Sequence, residues 1–253
     1  MKIGFLGVGT IASCLIKGLT NTGEDHEFFI YDVNPQKCEE IAARCWNMTI
    51  CESNQSVADK SDAVFLTMRA DNCLDVLKNL IFRDNQEIIN VIATVPPEEI
   101  LGAIKVKDRF HHIIPLPSIR NRRGPIAAFP ECPTLDKLLS PLGTVVYTKS
   151  LDEIRILQSI TALMSSFYEM LHELTCFAEN EGLGRQESIA YMSAFFSSLC
   201  ENVTNSDFAE LASEMTPGGL NAMVLKNLTD RNAIKAWAEV MNPVMNRIRP
   251  SSM

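Results

Sequence analysis

Residues 1–12 read MKIGFLGVGTIA, and the rest of the fold is reached by working outward from them. The apolar run Ile3–Leu6 has the character of a buried strand. It meets Gly7-Val8-Gly9-Thr10-Ile11-Ala12, a G-x-G-x-x-A pattern that leads into a helical stretch. In such a pattern the first glycine permits a tight turn. The second leaves no side chain to hold a diphosphate away from the backbone, and the alanine lets the helix lie close to the strand. A helix that starts there offers free N–H groups and its positive dipole end to phosphates. A dinucleotide is the expected ligand, with contacts at Gly7, Gly9, Thr10 and Ile11.

Downstream the chain alternates strand-like and helix-like segments. Strands are expected at Lys2–Leu6, Glu27–Tyr31, Met48–Ile50, Asp62–Thr67, Glu87–Ile92, Phe110–Ile114 and Val145–Tyr147. Helices are expected at Thr10–Leu19, from Asn34-Pro35 to about Arg44, at Asn72–Leu80 and at Pro96–Ile104, with a short polar one before the fourth strand. This alternation implies a parallel sheet covered on both faces. The fold class is α/β: a Rossmann-type, doubly wound parallel sheet over residues 1–149.

The pattern changes at Ser150. Ser150-Leu151-Asp152-Glu153 is a capping box. The helical periodicity after it runs to about Glu181, which as one helix would be roughly 45 Å long. Gly182 and Gly184 stop it. Glu187–Val203 reads as a second apolar helix, and shorter ones follow, so residues 150–253 form an all-helical domain. The helix from Leu151 is apolar almost all round and asks for burial on several faces. A homodimer through these C-terminal helices, or a larger homo-oligomer, is the expectation.

Asp32 closes the second strand, 25 positions after Gly7. An acid there accepts hydrogen bonds from the ribose hydroxyls of NAD and repels the 2′-phosphate of NADP. Val33 and Asn34 continue the site, and no arginine follows to grip that phosphate. NAD is favoured over NADP, and Lys37 reads as a solvated helix lysine.

Composition sets wide bounds. Of the 253 residues, 46% are hydrophobic and 21% charged, as in folded globular proteins, and the formal net charge is −8. A net-acidic chain with no extended basic patch does not suit nucleic acid or an anionic membrane. The 8 cysteines are scattered without metal-ligand spacing, so they read as reduced, mostly buried thiols, and no metal site is expected. No apolar run approaches the length of a membrane span, and the first strand starts at once. A cytoplasmic chain without a signal peptide is the expectation.

Near the other end stands Glu214-Met215-Thr216-Pro217-Gly218-Gly219-Leu220-Asn221. Thr216 suits a helix N-cap and Pro217 the first helical position. Gly218 and Gly219 would then present bare N–H groups to a carboxylate or phosphate.

Taken together, these segments resemble the pyrroline-5-carboxylate reductase family. The likeness lies in Gly7-Val8-Gly9-Thr10-Ile11-Ala12 with Leu15-Ile16-Lys17-Gly18-Leu19, in Tyr31-Asp32-Val33-Asn34-Pro35-Gln36-Lys37 and in Asp62–Ala70. It continues in Ile114-Pro115-Leu116-Pro117-Ser118 and Thr216-Pro217-Gly218-Gly219-Leu220-Asn221. The segments come in the family's order over nearly the whole chain.

The resemblance implies reduction of a cyclic imino acid by NAD(P)H. Its cofactor contacts would include Thr67, Met68, Arg69, Ala93 and Pro115. The substrate carboxylate would be held by Thr216, Gly218 and Gly219, and Asn221 would orient the imine nitrogen. Departures cluster on the substrate side. The family's proline-segment asparagine is Leu116, its first threonine after P-G-G is Leu220, and its small-residue stretch is Met164-Ser165-Ser166-Phe167-Tyr168-Glu169. A different imine or carbonyl acid, or a non-catalytic NAD(P)-binding protein, is the alternative. The β-hydroxyacid dehydrogenases share the architecture but need a lysine on the long helix, and Leu151–Glu181 has none.

Two clusters remain. Arg120, Arg122 and Arg123 form a basic run able to meet an anion. His111 and His112 are strand neighbours that must point to opposite faces, so they cannot form one ligand pair.

Overall fold

The computed structural model describes residues 1–104, 108–201, 203 and 207–249. Among these, one sheet contains β1 (Lys2–Leu6), β2 (Glu27–Tyr31), β3 (Met48–Ile50), β4 (Ala63–Leu66), β5 (Glu87–Asn90), β6 (Phe110–Pro115), β7 (Pro125–Phe129) and β8 (Thr144–Tyr147). The strand order is 3-2-1-4-5-6-7-8. Helices α1 (Thr10–Thr20), α2 (Pro35–Ala42), α3 (Asn54–Lys60), α4 (Cys73–Lys78), α5 (Pro97–Ala103) and α6 (Pro133–Leu139) connect the strands.

The strands are apolar on both sides because both sides are covered. Ile3, Phe5, Phe28, Ile30, Phe65 and Ile89 pack with residues of α1 and α6. Leu6, Phe29, Val64, Leu66 and Ile88 pack with α3, α4 and α5 on the opposite face. Phe5 and Phe65 stack across β1 and β4 with ring centres 4.8 Å apart. Each side chain of this size contributes roughly 1.5–3 kcal/mol when removed from water.

The wholly parallel sheet expected from the alternation is corrected at one edge. β7, which the sequence reading missed, runs antiparallel to β6, with His112 opposite Phe129. After β6 a 3₁₀ turn over Pro117–Asn121 ends at Arg122, whose φ of 57° is left-handed. That reversal returns the chain beside the strand it has just left. β7 reads Pro-Ile-Ala-Ala-Phe, with one β-branched residue, and so gives little strand signal.

Two compact units emerge: Met1–Gln158 with the segment that starts at Met245, and Ser159–Val244. At their junction lies α7 (Leu151–Thr161), followed by α8 (Met164–Asn180), α9 (Arg185–Glu201), α10 (Phe208–Ser213), α11 (Leu220–Asp230), α12 (Ala233–Glu239) and α13 (Met241–Ile248). The expected cap at Ser150 is present, with Glu153 N–H donating to Ser150 Oγ at 3.2 Å. The single long helix is not. It breaks after Thr161, where Ala162 and Leu163 N–H bond three residues back, to Ser159 and Ile160, before Phe167 resumes the regular ladder on Leu163. Neither glycine nor proline marks the break, so the apolar periodicity runs through it.

At the far end of α8 the stop falls where the glycines place it. Leu183 N–H reaches Ala178 O and Gly182 N–H reaches Glu179 O, the paired bonds of a Schellman cap. The next helix ends at Glu201, and the remaining expected stretch to Val203 passes Asn202, outside the described residues. Within the second unit Phe167 meets Phe196 edge-on at 5.8 Å. Few of its described side chains are buried. Phe177, Tyr191, Phe195, Leu199, Met223 and Val224 all stand exposed.

Candidate functional site

In an open α/β sheet, ligands settle outside the carboxyl ends of the strands where the order reverses, here between β1 and β4. A cleft of about 240 Å³ lies there, lined by Gly7, Gly9, Asp32, Val33, Asn34, Thr67, Met68 and Arg69 among others. Eight residues singled out from the sequence as cofactor contacts are thus brought together.

The glycine turn is held from three sides. Gly7 has φ +94° and donates its N–H to Tyr31 O at 2.8 Å. A Cβ on Gly7 would lie 2.7 Å from Met68 Cα, so the backbone just after β4 approaches too closely for any side chain. Thr67 Oγ1 donates to Gly7 O at 2.7 Å, which ties the end of β4 to the turn. Asp32 completes the frame. Its Oδ2 accepts Val8 N–H at 2.8 Å and its Oδ1 accepts Asn34 N–H at 2.9 Å. Each oxygen keeps lone-pair capacity for a ribose hydroxyl. Asn34 in turn caps α2 by accepting Gln36 N–H at 3.1 Å.

Gly9 differs from Gly7. Its φ is −92°, which any residue can adopt, and a Cβ there would meet nothing within 4 Å. The space above it is open, and α1 starts beneath. The first bond of that helix is Ser13 N–H to Gly9 O, so the N–H groups of Thr10, Ile11 and Ala12 have no acceptor within the helix. Open space thus lies above bare N–H groups, a form that suits a phosphate.

The remaining expected contacts are not among the residues that line this cleft. The Thr10 side chain lines a second cavity, of about 450 Å³, together with Lys17, Arg44 and Arg120. Ile11 packs on the core. Ala93 is exposed beyond β5, and its carbonyl accepts Gln158 Nε2 at 2.6 Å. Pro115 is buried at the end of β6. Neither lines the cleft. Lys37, read from sequence as a solvated lysine, does line it, and so do Tyr31, Asn54, Asn72 and Val76, which the reading missed. Only a folded β1–β2–β4 edge brings those positions next to the glycine turn.

In the second unit the proposed helix start is corrected by three residues. Thr216 is not the N-cap. Pro217 and Gly218 form the corner of a turn in which Gly219 N–H bonds to Thr216 O at 2.9 Å, with Gly218 at φ +71°. Gly219 caps α11, and Leu220 is its first residue. Gly219 N–H is therefore already engaged. The first bond within the helix is Met223 N–H to Gly219 O, which leaves Leu220, Asn221 and Ala222 N–H without intrahelical acceptors. Asn221 is exposed on that first turn.

The two histidines separate as strand geometry requires. His111 faces Glu87 and Pro130, whereas His112 Nδ1 lies 2.9 Å from Asn90 Nδ2. Burial pushes the His112 imidazole down to about 4, so it is neutral near pH 7. Of the arginine run, Arg122 is fastened to carbonyls of Pro141 and Asn21. All eight cysteines are free thiols, most of them buried, and burial pushes Cys14, Cys38, Cys73 and Cys132 upward. No described helix is long and apolar enough to cross a membrane.

A family model described as "NADP oxidoreductase coenzyme F420-dependent" matches residues 2–101. No curated protein matches the chain by sequence. Solved structures do match by shape. A 1-pyrroline-5-carboxylate reductase from Streptococcus pyogenes is 20% identical, with 98% of each chain covered and a TM-score of 0.82. A pyrroline carboxylate reductase from Plasmodium falciparum with NADP bound is 16% identical, over 98% of this chain and 96% of that one, with a TM-score of 0.82. An imine reductase from Pseudomonas sp. is 14% identical over 97% and 90%, with a TM-score of 0.66. The resemblance read from the motifs thus extends to the whole backbone: this chain has the fold of the pyrroline-5-carboxylate reductases.

Proposed function

We propose that the chain is an NAD(P)H-dependent reductase of a cyclic imino acid, with pyrroline-5-carboxylate as the substrate to test first. The observation that carries this reading is the open cradle over Gly9, with unengaged N–H groups beneath it and Asp32 in the same cleft. When bound, the dinucleotide supplies the hydride. The chain's own residues bind and orient. Gly9 and the first turn of α1 receive the diphosphate, Asp32 accepts the ribose hydroxyls, and Thr67 holds the turn in shape. Gly218 and the first turn of α11 receive a carboxylate, the Thr216–Gly219 bond shapes that turn, and Asn221 orients the imine nitrogen. Reduction of a protonated imine asks little more of a protein than holding donor and acceptor carbons within about 3–3.5 Å.

The charge of Asp32 favours NADH. Asp32→Ser combined with Val33→Arg is expected to shift the ratio of specificity constants toward NADPH. An unchanged ratio refutes this role for Asp32.

Oxidation of NADH and NADPH in the presence of pyrroline-5-carboxylate tests the whole reading. Turnover within roughly 1–10³ per second supports it. Failure to bind either nucleotide in calorimetry overturns it. Leu116 and Leu220 replace polar residues of the family, and Leu220 is exposed at the start of α11, which favours a less polar imine as the second reading. Tight nucleotide binding with turnover only on other imines identifies that case.

A further inference from the structure

At the amino-terminal ends of the parallel strands, away from the cleft, three side chains from distant parts of the chain converge. Glu87 opens β5, His111 is the second residue of β6, and Cys132 caps α6. One donor atom from each lies within 4.8 Å of the other two. Glu87 and His111 are buried, and Cys132 is half-buried.

The hydrogen bonds around His111 pose a question of proton accounting. Its Nδ1 lies 3.1 Å from Pro130 O, a carbonyl that can only accept, so Nδ1 carries a proton. Nε2 then has a lone pair in the neutral ring. That atom lies 3.0 Å from Glu87 Oε2 and 3.5 Å from Cys132 Sγ. A lone pair held against a carboxylate is repulsive, so something positive belongs between them. Either a proton lies there, on the ring or on Glu87, or a cation takes its place.

We infer that Glu87, His111 and Cys132 form a binding site for a zinc-class divalent cation. One carboxylate oxygen, one imidazole nitrogen and one sulfur are the donor types that zinc takes. With zinc bonds of about 2.0 Å to N and O and about 2.3 Å to S, the edges of a tetrahedron are about 3.3–3.5 Å. Two of the three edges, at 3.0 and 3.5 Å, need little change to match, and the third is within 4.8 Å.

The surroundings have the form of an outer shell. The remaining His111 N–H is fixed on a carbonyl, the pattern usual for a metal-bound imidazole. Arg109 Nη1 holds Glu87 Oε1 at 2.7 Å, which turns Oε2 toward the site. Leu135 N–H points at Cys132 Sγ from 3.3 Å, placed to stabilise a thiolate. Binding replaces the thiol proton, which leaves to solvent, and a water completes the fourth position. The cation would fasten the loop between β7 and α6 to the starts of β5 and β6. Sequence spacing could not show this site, because its residues lie 24 and 21 positions apart and only the β5–β6–β7 register unites them.

The full-length protein, stripped with a chelator and titrated with Co²⁺, tests the assignment. One equivalent per chain is expected to give a thiolate-to-cobalt charge-transfer band and strong visible bands of tetrahedral cobalt, both displaced by Zn²⁺. Cys132→Ser keeps an oxygen able to cap α6. It is expected to abolish the charge-transfer band and weaken binding at least tenfold, whereas Cys176→Ser leaves both unchanged. In the wild-type chain, Zn²⁺ should protect Cys132 selectively from alkylation, read by peptide mass spectrometry. No stoichiometric band, a band that survives Cys132→Ser, or Cys132 alkylated equally with and without Zn²⁺ overturns the site. Glu87 and His111 are then a hydrogen-bonded pair with no metal between them.

Discussion

At the scale of single residues, the two glycines of the turn separate what the fold requires from what a ligand requires. Gly7 sits at φ +94° against the Met68 backbone, so Gly7→Ala strains the chain and collides with the segment after β4. It is expected to lower stability by about 1–3 kcal/mol, measured by urea unfolding. Gly9 has an ordinary φ and open space above it, so alanine there costs only the difference between a good and a poor N-cap, about 0.5–1 kcal/mol. Gly9→Ala should therefore lose no more than about 1 kcal/mol of stability yet bind NADH at least tenfold more weakly by calorimetry. Loss of stability without loss of binding in Gly9→Ala would sink the diphosphate assignment. The tight turn at Gly7 is legible in the G-x-G-x-x-A spacing, the same spacing from which the role of Gly9 is proposed. The bond from Thr67 to Gly7 is not, because it exists only once β4 lies beside β1.

At the scale of elements, strands with unbroken apolar runs, β1 and β2 above all, were readable to the residue. Elements defined by their partners were not. β7 owes its place to the reversal at Arg122, and the break before α8 leaves no mark in the periodicity. The late helix starts after a Pro-Gly turn instead of at Thr216, since Pro217 suits both a first helical turn and the second position of a type II turn. β6 carries the pH-sensitive element. His112 titrates at about 4 when folded against 6.5 as a free side chain, because burial disfavours its charge. As pH falls through 6.5 the unfolded chain takes up a proton that the folded chain refuses, so stability declines until about pH 4. Between pH 7 and pH 5 this amounts to about 2 kcal/mol from His112 alone. His26, also lowered by burial, acts in the same direction. His112→Asn keeps an acceptor for Asn90 and removes the titration. Urea midpoints at the two pH values should therefore converge in the variant relative to the wild type. Equal pH dependence in both would show that His112 is not the group responsible.

At the scale of the whole molecule, the unequal burial of the two units points to assembly. The first unit has a core on each face of its sheet, with side chains such as Phe5, Phe65 and Leu77 wholly excluded from solvent. In the second, α8 through α12 leave large apolar side chains in water: Phe177 is 63% exposed, Tyr191 72% and Phe208 75%. Monomeric proteins rarely expose so many large apolar side chains, and obligate homodimers cover such surface with a second copy. The homodimer expected from the all-round apolar character of these helices is therefore the reading to test. Light scattering at micromolar concentration should give twice the 28.2 kDa of one chain. Phe177→Glu with Tyr191→Glu would bury two unpaired charges in such an interface and should weaken association at least tenfold, or about 1.4 kcal/mol. Since both side chains are exposed in the single chain, the same pair should leave nucleotide binding by the first unit intact. A wild-type chain that scatters as a monomer would mean that these helices meet something other than their own copy, whereas a variant that stays dimeric would move the interface to another face.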